Sequence, residues 1–196
     1  MSSARRAAIV IASATMAIAG TTATATATAT PQSKTGAHCV ANLATHKTTC
    51  YDTFREAIAV ATSGRVTDAP ATPEKAAKDK AFAAELNAPA RSHNTNVAAN
   101  TQDSMVGAIL YNDWNYGGGT YTLSIPEPCK NDGQWDYGYD KLDGFNDRTS
   151  SVLPANNCWI ALYSDIYYNG TSQEYHGSTP YVGDAMNDQA SSVMLL

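Results

Sequence analysis

Hydrophobic and polar residues alternate in short stretches throughout the C-terminal half of the chain. Five of these stretches are rich in β-branched, aromatic and aliphatic side chains, and Gly, Asn, Asp and Pro separate them. In chain order they are GAILY, TYTLS, SSVLP, WIALY and SSVMLL. Short alternating stretches between turn residues are typical of strands in a β-sandwich or a Greek-key arrangement. The pattern therefore predicts a mainly β fold for this half.

The middle of the chain has a helical pattern instead. Residues 51–62 carry apolar side chains at helical spacing, and a second helix is predicted to begin at Pro73 and to run to about Asn87. Its apolar stripe, Phe82 and Leu86, is too narrow to form a core of its own. We therefore expect a small helical cap, pinned by a disulfide, with no separate activity. A propeptide or regulatory arm is the alternative.

The first thirty residues have the pattern of a secretory signal peptide. Arg5 and Arg6 precede an apolar stretch from Ala7 to Gly20, and small residues in an A-x-A arrangement follow. No apolar run reaches the roughly 18 residues of a membrane-spanning helix, so we expect a secreted, extracellular protein without a membrane span. The predicted divisions are a signal peptide (1–30), a helical N-terminal segment with a linker (31–104) and a β domain (105–196).

Export determines how the four cysteines are interpreted. An even number of cysteines in an oxidising compartment indicates disulfides. A zinc site is disfavoured because the chain has no C-x-x-C motif and its four histidines are scattered. Three pairings are possible. We favour Cys39–Cys50 and Cys129–Cys158, because each pair then lies within one compositional segment.

Charge is unevenly distributed along the chain. The whole protein has 13 basic and 18 acidic residues, a formal net charge of −5. From residue 107 onward, three bases stand against eleven acids, a balance of −8. Nucleic acid is therefore disfavoured as a partner, since phosphate contacts need clustered Lys and Arg. The acidic half is better suited to a cation.

Two motifs occur twice, in the same order, within this acidic half. Tyr-x-x-x-x-Tyr-x-Gly begins at Tyr111 and again 52 positions later at Tyr163. Asn-Asp-x-x-Ser-Ser begins at Asn146 and again 41 positions later at Asn187. The first copy therefore carries eleven extra residues, around Glu127–Gly133. Repetition of both motifs indicates an internal duplication.

The Asn-Asp-x-x-Ser-Ser motif supplies the candidate chemistry, whereas the tyrosines of the other motif are assigned to ring packing across a tight bend. The motif places a carboxylate, an amide and hydroxyls within six residues, together with turn carbonyls. Ca²⁺ prefers about six to eight oxygen ligands. One hexapeptide cannot supply that many, but two copies related by pseudo-symmetry can share two ions. A single copy would be explained as well by a capped turn.

Together, the two motifs resemble those of microbial βγ-crystallin domains of the double-clamp calcium type. The resemblance covers about residues 107–196 and implies two Greek-key motifs that form a sandwich and bind two Ca²⁺ ions. The ligands it implies are the Ser150 and Ser191 hydroxyls, the acidic clamp residues Asp147 and Asp188 with Asn146 and Asn187 before them, the Arg148 and Gln189 carbonyls, and Asn112 and Ser164.

The chain departs from that family pattern at three positions. Asn112 and Ser164 stand where the family frequently has an acid, and Arg148 brings a positive side chain beside one ion. The arginine is compatible with a metal site if only its carbonyl faces the ion. Otherwise it weakens that site.

The leading functional hypothesis is a secreted, monomeric, non-catalytic calcium-binding protein whose fold the metal stabilises. The alternative is a secreted peptidase inhibitor, since the same disulfide-braced fold is similar to that of bacterial metalloproteinase inhibitors. An inhibitor needs an exposed rigid loop, and the loop Pro126–Lys130 in the longer copy is the best candidate. A small secreted toxin is a weaker alternative on this scaffold.

Catalysis is disfavoured because the chain has neither a nucleophile elbow nor an H-E-x-x-H motif. His176 lies two positions after Glu174, which is insufficient for a catalytic pair. Four acids could include a glycosidase-like carboxylate pair, but their Gly-containing context favours a solvated loop: Asp132, Asp136, Asp140 and Asp143.

Overall fold

The computed structural model describes residues 38–89, 104–130 and 132–196. The predicted signal peptide and most of the predicted linker lie outside these residues. No helix in the described ranges is long and apolar enough to cross a membrane. The described elements, in chain order, are β1 (His38–Asn42), β2 (Lys47–Tyr51), α1 (Phe54–Ala61), α2 (Pro73–Lys78), α3 (Lys80–Leu86), β3 (Met105–Tyr111), β4 (Thr120–Ile125), β5 (Tyr137–Tyr139), β6 (Ser151–Pro154), β7 (Ile160–Tyr163), β8 (Ser172–Tyr175) and β9 (Ser192–Leu195), with single 3₁₀ turns at Trp114–Tyr116 and Ile166–Tyr168.

The strands form two sheets, and the prediction of a mainly β fold is confirmed. The first sheet has the order β2-β1-β4-β3-β6 and the second the order β5-β9-β7-β8. The two copies exchange edges: β5 of the first copy pairs with β9 of the second, and Thr179 of the second copy forms a bridge with Val152 in β6. Each sheet therefore includes backbone from both copies.

Two hydrophobic clusters lie on opposite faces of the first sheet. Leu110 and Leu123 belong to the cluster that also contains Ile160 and Val193 of the second sheet. Ile109, on the other face of β3, belongs to the cluster that contains the helices. Because both faces are covered, every residue of β3 and β4 is buried. The near-continuous hydrophobicity of β3 follows from this double cover, whereas β4 also buries Thr120, Thr122 and Ser124.

The N-terminal segment begins with a β-hairpin that the sequence did not predict. Strands β1 and β2 are antiparallel, and β1 pairs in parallel with β4, which extends the first sheet by two strands. The segment is therefore not purely helical. The polar sequence KTTCY of β2 has no alternating pattern, and its extended conformation depends on a partner in β1, where Cys39 lies opposite Cys50.

The helices follow the predicted pattern with one interruption. The Thr53 hydroxyl accepts a hydrogen bond from the Glu56 amide and so caps α1. The second predicted helix is divided into α2 and α3 at Asp79, whose carboxylate accepts hydrogen bonds from the amides of Ala81 and Phe82 at 2.8 and 3.2 Å. Asp79 therefore ends α2 and acts as the N-cap of α3.

The helices pack on the sheet rather than standing apart from it. Phe82 and Leu86 are buried in one cluster with Phe54 of α1 and with Ile109 and Tyr111 of β3. The narrow apolar stripe of the second predicted helix is thus sufficient to bury that helix, because the outer face of the sheet supplies the rest of the core.

Both predicted disulfides are present. Cys39–Cys50 joins β1 to β2, and Cys129–Cys158 joins the long loop of the first copy to the turn before β7. Among the described residues there is no free cysteine. A nucleophilic thiol and a cysteine-ligated metal are therefore excluded from this part of the chain.

Candidate functional sites

The first aromatic motif forms a tight hairpin in which two tyrosine rings meet edge to face. The ring centroids of Tyr111 and Tyr116 are 5.4 Å apart, and the backbone between them includes the left-handed residues Asn115 and Tyr116. Gly118 has φ +71°, and a Cβ there would lie 2.3 Å from Oδ1 of Asn112. The glycine of the motif is therefore required by both backbone angle and space.

The second aromatic motif repeats this geometry. Tyr163 and Tyr168 are 6.0 Å apart with an edge-to-face angle of 73°. Gly170 has φ +77°, and a Cβ there would lie 2.2 Å from Oγ of Ser164. The structural assignment of the tyrosines agrees with this packing.

The last serine of each clamp motif fastens the clamp to its hairpin, a role that the sequence analysis did not identify. The Ser151 hydroxyl donates to the Asp113 carbonyl at 2.7 Å and accepts from the Tyr116 amide at 3.0 Å. Ser192 makes the equivalent pair of bonds with Asp165 and Tyr168, at 2.6 and 3.0 Å. The second serine of the Ser-Ser pair, present in both copies of the motif, was the sequence feature that could have indicated this role.

The two clamp motifs meet in a reciprocal pairing across the copies. Oδ1 of Asp188 lies 3.3 Å from Oγ of Ser150, and Oδ1 of Asp147 lies 3.3 Å from Oγ of Ser191. Both aspartates have left-handed backbone angles, φ 55° for Asp147 and 53° for Asp188. Each candidate site therefore takes its carboxylate from one copy and its hydroxyl from the other.

Backbone bonds hold this arrangement in register. The Asp147 amide donates to the Ala190 carbonyl at 3.0 Å, and the Asp188 amide donates to the Thr149 carbonyl at 3.1 Å. The two turns are thereby joined by their main chains as well as by their side chains.

Asn112 adds a further oxygen to the Asp188–Ser150 site. Its carbonyl oxygen lies 3.1 Å from Oγ of Ser150. Its buried side-chain Oδ1 has no hydrogen-bond donor within the described residues. In the other copy, the Ser164 hydroxyl instead accepts a bond from the Thr171 amide at 2.9 Å. The structure thus places Asn112 beside Ser150, whereas the side-chain hydroxyl of Ser164 is engaged within its own hairpin.

Arg148 directs its side chain to neighbouring residues of its own turn. Its guanidinium lies 5.4 Å from the centre of the Phe145 ring, and Nη1 donates to the Gly144 carbonyl at 3.3 Å. The carbonyls of Arg148 and Gln189 accept no hydrogen bond from a described residue. Both remain available as the predicted backbone ligands.

The paired asparagines contact the carboxylates of the clamps. Nδ2 of Asn146 donates to Oδ2 of Asp147 at 2.7 Å, and Nδ2 of Asn187 donates to Oδ2 of Asp188 at 2.8 Å. In this arrangement the amides orient the aspartates. Their predicted role as ligands stays a prediction.

The oxygen atoms of the first site are suited to a hard cation. In the first site, the Ser150 hydroxyl has one proton for two acceptors, the Asn112 carbonyl and the Asp188 carboxylate. A cation would satisfy the oxygen that the proton does not reach. Within the described chain no three His, Cys, Asp or Glu side chains cluster, so a bound ion would rely on carbonyls, hydroxyls and water besides the single carboxylate. Such mixed oxygen sets suit Ca²⁺.

The long loop of the first copy is exposed but firmly tethered. Glu127, Pro128 and Lys130 are exposed on either side of the buried, disulfide-bonded Cys129. The Cys129 amide donates to the Asn156 carbonyl at 3.0 Å.

Side-chain contacts complete the tether. Nζ of Lys130 lies 3.3 Å from Oδ1 of Asp136, and the Lys130 amide donates to Oδ2 of the same carboxylate at 2.9 Å. The Tyr137 hydroxyl donates to the Glu127 carbonyl at 3.0 Å. Trp135 stands on the same loop with 62% of its surface exposed. Residues 126–130 therefore present their exposed side chains on a backbone that is tethered at several points.

Comparison with known proteins gives one family match and several solved structures. The model of peptidase inhibitor family I36 matches residues 110–175. A double mutant of a βγ-crystallin domain from Clostridium beijerinckii is 29% identical over 45% of this chain and 93% of that domain, with a TM-score of 0.36. A βγ-crystallin domain from Flavobacterium johnsoniae is 22% identical over 46% of this chain and 93% of that domain, also with a TM-score of 0.36. No curated protein matches.

These solved domains are microbial βγ-crystallins, the kind of domain whose motifs this chain resembles. The match to peptidase inhibitor family I36 points to a non-catalytic protein and allows a peptidase as partner. That family, together with two disulfides, suggests an extracellular protein.

Proposed function

We propose that the protein is a secreted, non-catalytic calcium-binding protein whose fold is stabilised by two Ca²⁺ ions. The observation that carries the proposal is the reciprocal pairing of Asp188 with Ser150 and of Asp147 with Ser191. Each pair joins two copies of one motif, and each would hold an ion with carbonyl oxygens and water. Calcium would then link the two halves of the domain.

Electrostatics favours the same conclusion. The domain has a balance of −8 over residues 107–196, and the clamp aspartates form no ion pair with a described residue. Self-repulsion among acids opposes the compact state, and bound cations relieve it. Ligand at about 100 times its Kd adds about 2.7 kcal/mol to the free energy of unfolding.

Thermal unfolding tests the proposal directly. We expect the midpoint to rise by several degrees between excess EDTA and millimolar Ca²⁺, because only the folded chain assembles both halves of each site. An unchanged midpoint would contradict calcium binding.

Calorimetric titration then counts the sites. Ser150→Arg and Ser191→Arg are each expected to abolish one of two sites, because the introduced guanidinium fills the position of the hydroxyl and repels the cation. Ser178→Arg adds the same charge at an exposed position outside the clamps and should retain both sites. Two intact sites in both clamp variants would show that the ligands are wrong.

A second candidate function, peptidase inhibition, is favoured by the tethered loop and by the family match. A loop held by a disulfide and by Asp136 loses little conformational freedom when a peptidase binds it. The exposed residues Glu127, Pro128 and Lys130 would be those presented. The match to peptidase inhibitor family I36 includes this loop.

Inhibition is tested with a panel of metallo-, serine and cysteine peptidases. We expect Lys130→Glu to weaken inhibition of the susceptible peptidase at least ten-fold. Lys141→Glu is the matched control, because Lys141 is also an exposed lysine paired with an aspartate, here Asp143 at 3.0 Å. The absence of inhibition by the intact protein would remove this candidate.

A further inference from the structure

We infer that Trp114 is a positioning residue for the Asp188–Ser150 metal site and makes that site the tighter of the two. The inference rests on the proposed calcium binding. It concerns a side chain outside the clamp motifs, on the hairpin of the first copy.

A chain of two hydrogen bonds connects the indole to the clamp carboxylate. Nε1 of Trp114 donates to Oδ1 of Asn187 at 3.2 Å. Nδ2 of Asn187 donates to Oδ2 of Asp188 at 2.8 Å, and Oδ1 of Asp188 lies 3.3 Å from Oγ of Ser150. The indole therefore acts on the carboxylate through a single amide.

The indole fixes the direction of that amide. A carboxamide can turn over and exchange its oxygen with its nitrogen, but only its oxygen accepts a bond from an indole N–H. With the Asn187 oxygen held by Trp114, its NH₂ group faces Asp188. The carboxylate is then held with its other oxygen at the hydroxyl of Ser150, as a preorganised ligand should be.

Trp114 itself is held in place although 59% of its surface is exposed. Its ring centre lies 4.8 Å from that of Tyr181. The amide of the next residue, Asn115, donates to the Pro180 carbonyl at 2.9 Å. A ring contact and a backbone hydrogen bond therefore both hold the indole in place beside Asn187.

The second copy lacks this arrangement and serves as an internal comparison. The residue that corresponds to Trp114 is Ile166, which has no side-chain donor. Asn146 still donates to Asp147 at 2.7 Å, but no described side chain donates to its amide oxygen. Asp147 is therefore oriented by an amide that is free to turn.

The test measures each site separately by calorimetry with Ca²⁺ on the full exported chain. The Ser191→Arg background retains the Asp188–Ser150 site, and the Ser150→Arg background retains the other. Trp114→Phe keeps a ring beside Tyr181 but removes the donor. Loss of an outer-sphere partner typically weakens metal binding about 10- to 100-fold, and this exposed bond should lie at the lower limit, about ten-fold.

We expect that weakening only in the Ser191→Arg background, with less than a two-fold change in the Ser150→Arg background. Ile166→Phe is the matched control and should change neither site. Asn187→Ala should weaken the same site, and combining it with Trp114→Phe should cause no further loss, since both remove one relay.

Two additional measurements separate this inference from the proposed function. If the unsubstituted chain binds no Ca²⁺, the proposed function has failed. If it binds two ions but Trp114→Phe leaves both affinities unchanged or weakens both equally, only the positioning role is overturned. The melting midpoint in EDTA should be the same with Trp114 or Phe, which shows that the metal-free fold is intact.

Discussion

The carboxylate of Asp147 lies 3.3 Å from the hydroxyl of Ser191, although 44 positions separate the two residues in the chain. The partner of Asp147 is thus in the other copy, and its own copy's Ser150 belongs to Asp188. Neither copy can form a site alone. If the clamps bind metal as proposed, both copies of the motif are therefore needed for each site.

Crossed pairing predicts the outcome of double substitutions. Asp147→Asn with Ser191→Arg should leave one Ca²⁺ site, because both changes affect the same ion. Asp147→Asn with Ser150→Arg should leave none, because the changes affect different ions. Calorimetric stoichiometry distinguishes the two variants, and the reverse result would show that each copy binds its own ion.

Substitution of two glycines with positive φ, Gly118 in the first hairpin and Gly133 in the long loop, should lower stability to different extents. Gly118→Ala should lower the free energy of unfolding by about 2–4 kcal/mol, because it adds a clash with Asn112 to an unfavourable backbone angle. Gly133→Ala shares the positive φ but meets nothing within 4 Å, so it should cost only about 1 kcal/mol. Denaturant unfolding measures both, and equal losses would show that the clash is relieved.

The helical segment is expected to contribute to the stability of the whole chain. Leu86→Ala should lower the free energy of unfolding by about 2–5 kcal/mol, because Leu86 is fully buried against the sheet. Val60→Ala, on the same layer but 45% exposed, is the control and should cost less than about 1 kcal/mol. One cooperative transition monitored by both tryptophan fluorescence and circular dichroism is expected, and two separate transitions would contradict a shared core.

His38 predicts a pH dependence. Its Nδ1 lies 3.0 Å from Oγ1 of Thr120, and burial lowers the pKa of His38 below its usual value of about 6.5, although the charge of Glu74 partly offsets this. The unfolded chain therefore takes up the proton at a higher pH than the folded chain. The contribution of His38 to the free energy of unfolding is therefore fully present above about pH 6.5 and decreases as the pH falls below it.

Denaturant unfolding at about pH 7.5 and pH 5.5 checks this dependence. The decrease should be smaller in His38→Gln than in the unsubstituted chain, whereas His176→Gln, at an exposed position, should retain the His38 contribution. An identical decrease with and without His38 would contradict the prediction.

The strands that the sequence predicts are those with local alternation between turn residues. Strands β5 and β8 were not predicted, each for a different reason. Tyr137–Tyr139 is only three residues long, and Ser172–Tyr175 is an edge strand with three exposed residues and one buried one. The hairpin before α1 escaped because its parallel partner, β4, lies about eighty positions away, and no local pattern records such pairing.

The candidate site also has features that the sequence predicts and features that it does not. Repetition of the motif predicted that the two copies come together and share their oxygen atoms, and which of those atoms bind an ion stays a prediction. The crossed pairing of Asp147 with Ser191 and the relay from Trp114 depend on how the two copies face each other. That relationship is three-dimensional and could not be obtained from spacing along the chain.

The helices lie on one sheet only, which makes the two hairpins unequal. Near the first hairpin, Oε1 of Glu74 in α2 would lie 3.2 Å from a Cβ placed on Gly117, so the two segments are in contact. Tyr116 is buried there, whereas its counterpart on the second hairpin, Tyr168, is only half-buried. Amide protons should therefore exchange with solvent sooner at the second hairpin. We therefore expect the second hairpin to open before the first, and, if two ions bind as proposed, the ion beside the second hairpin should leave first when the metal is diluted.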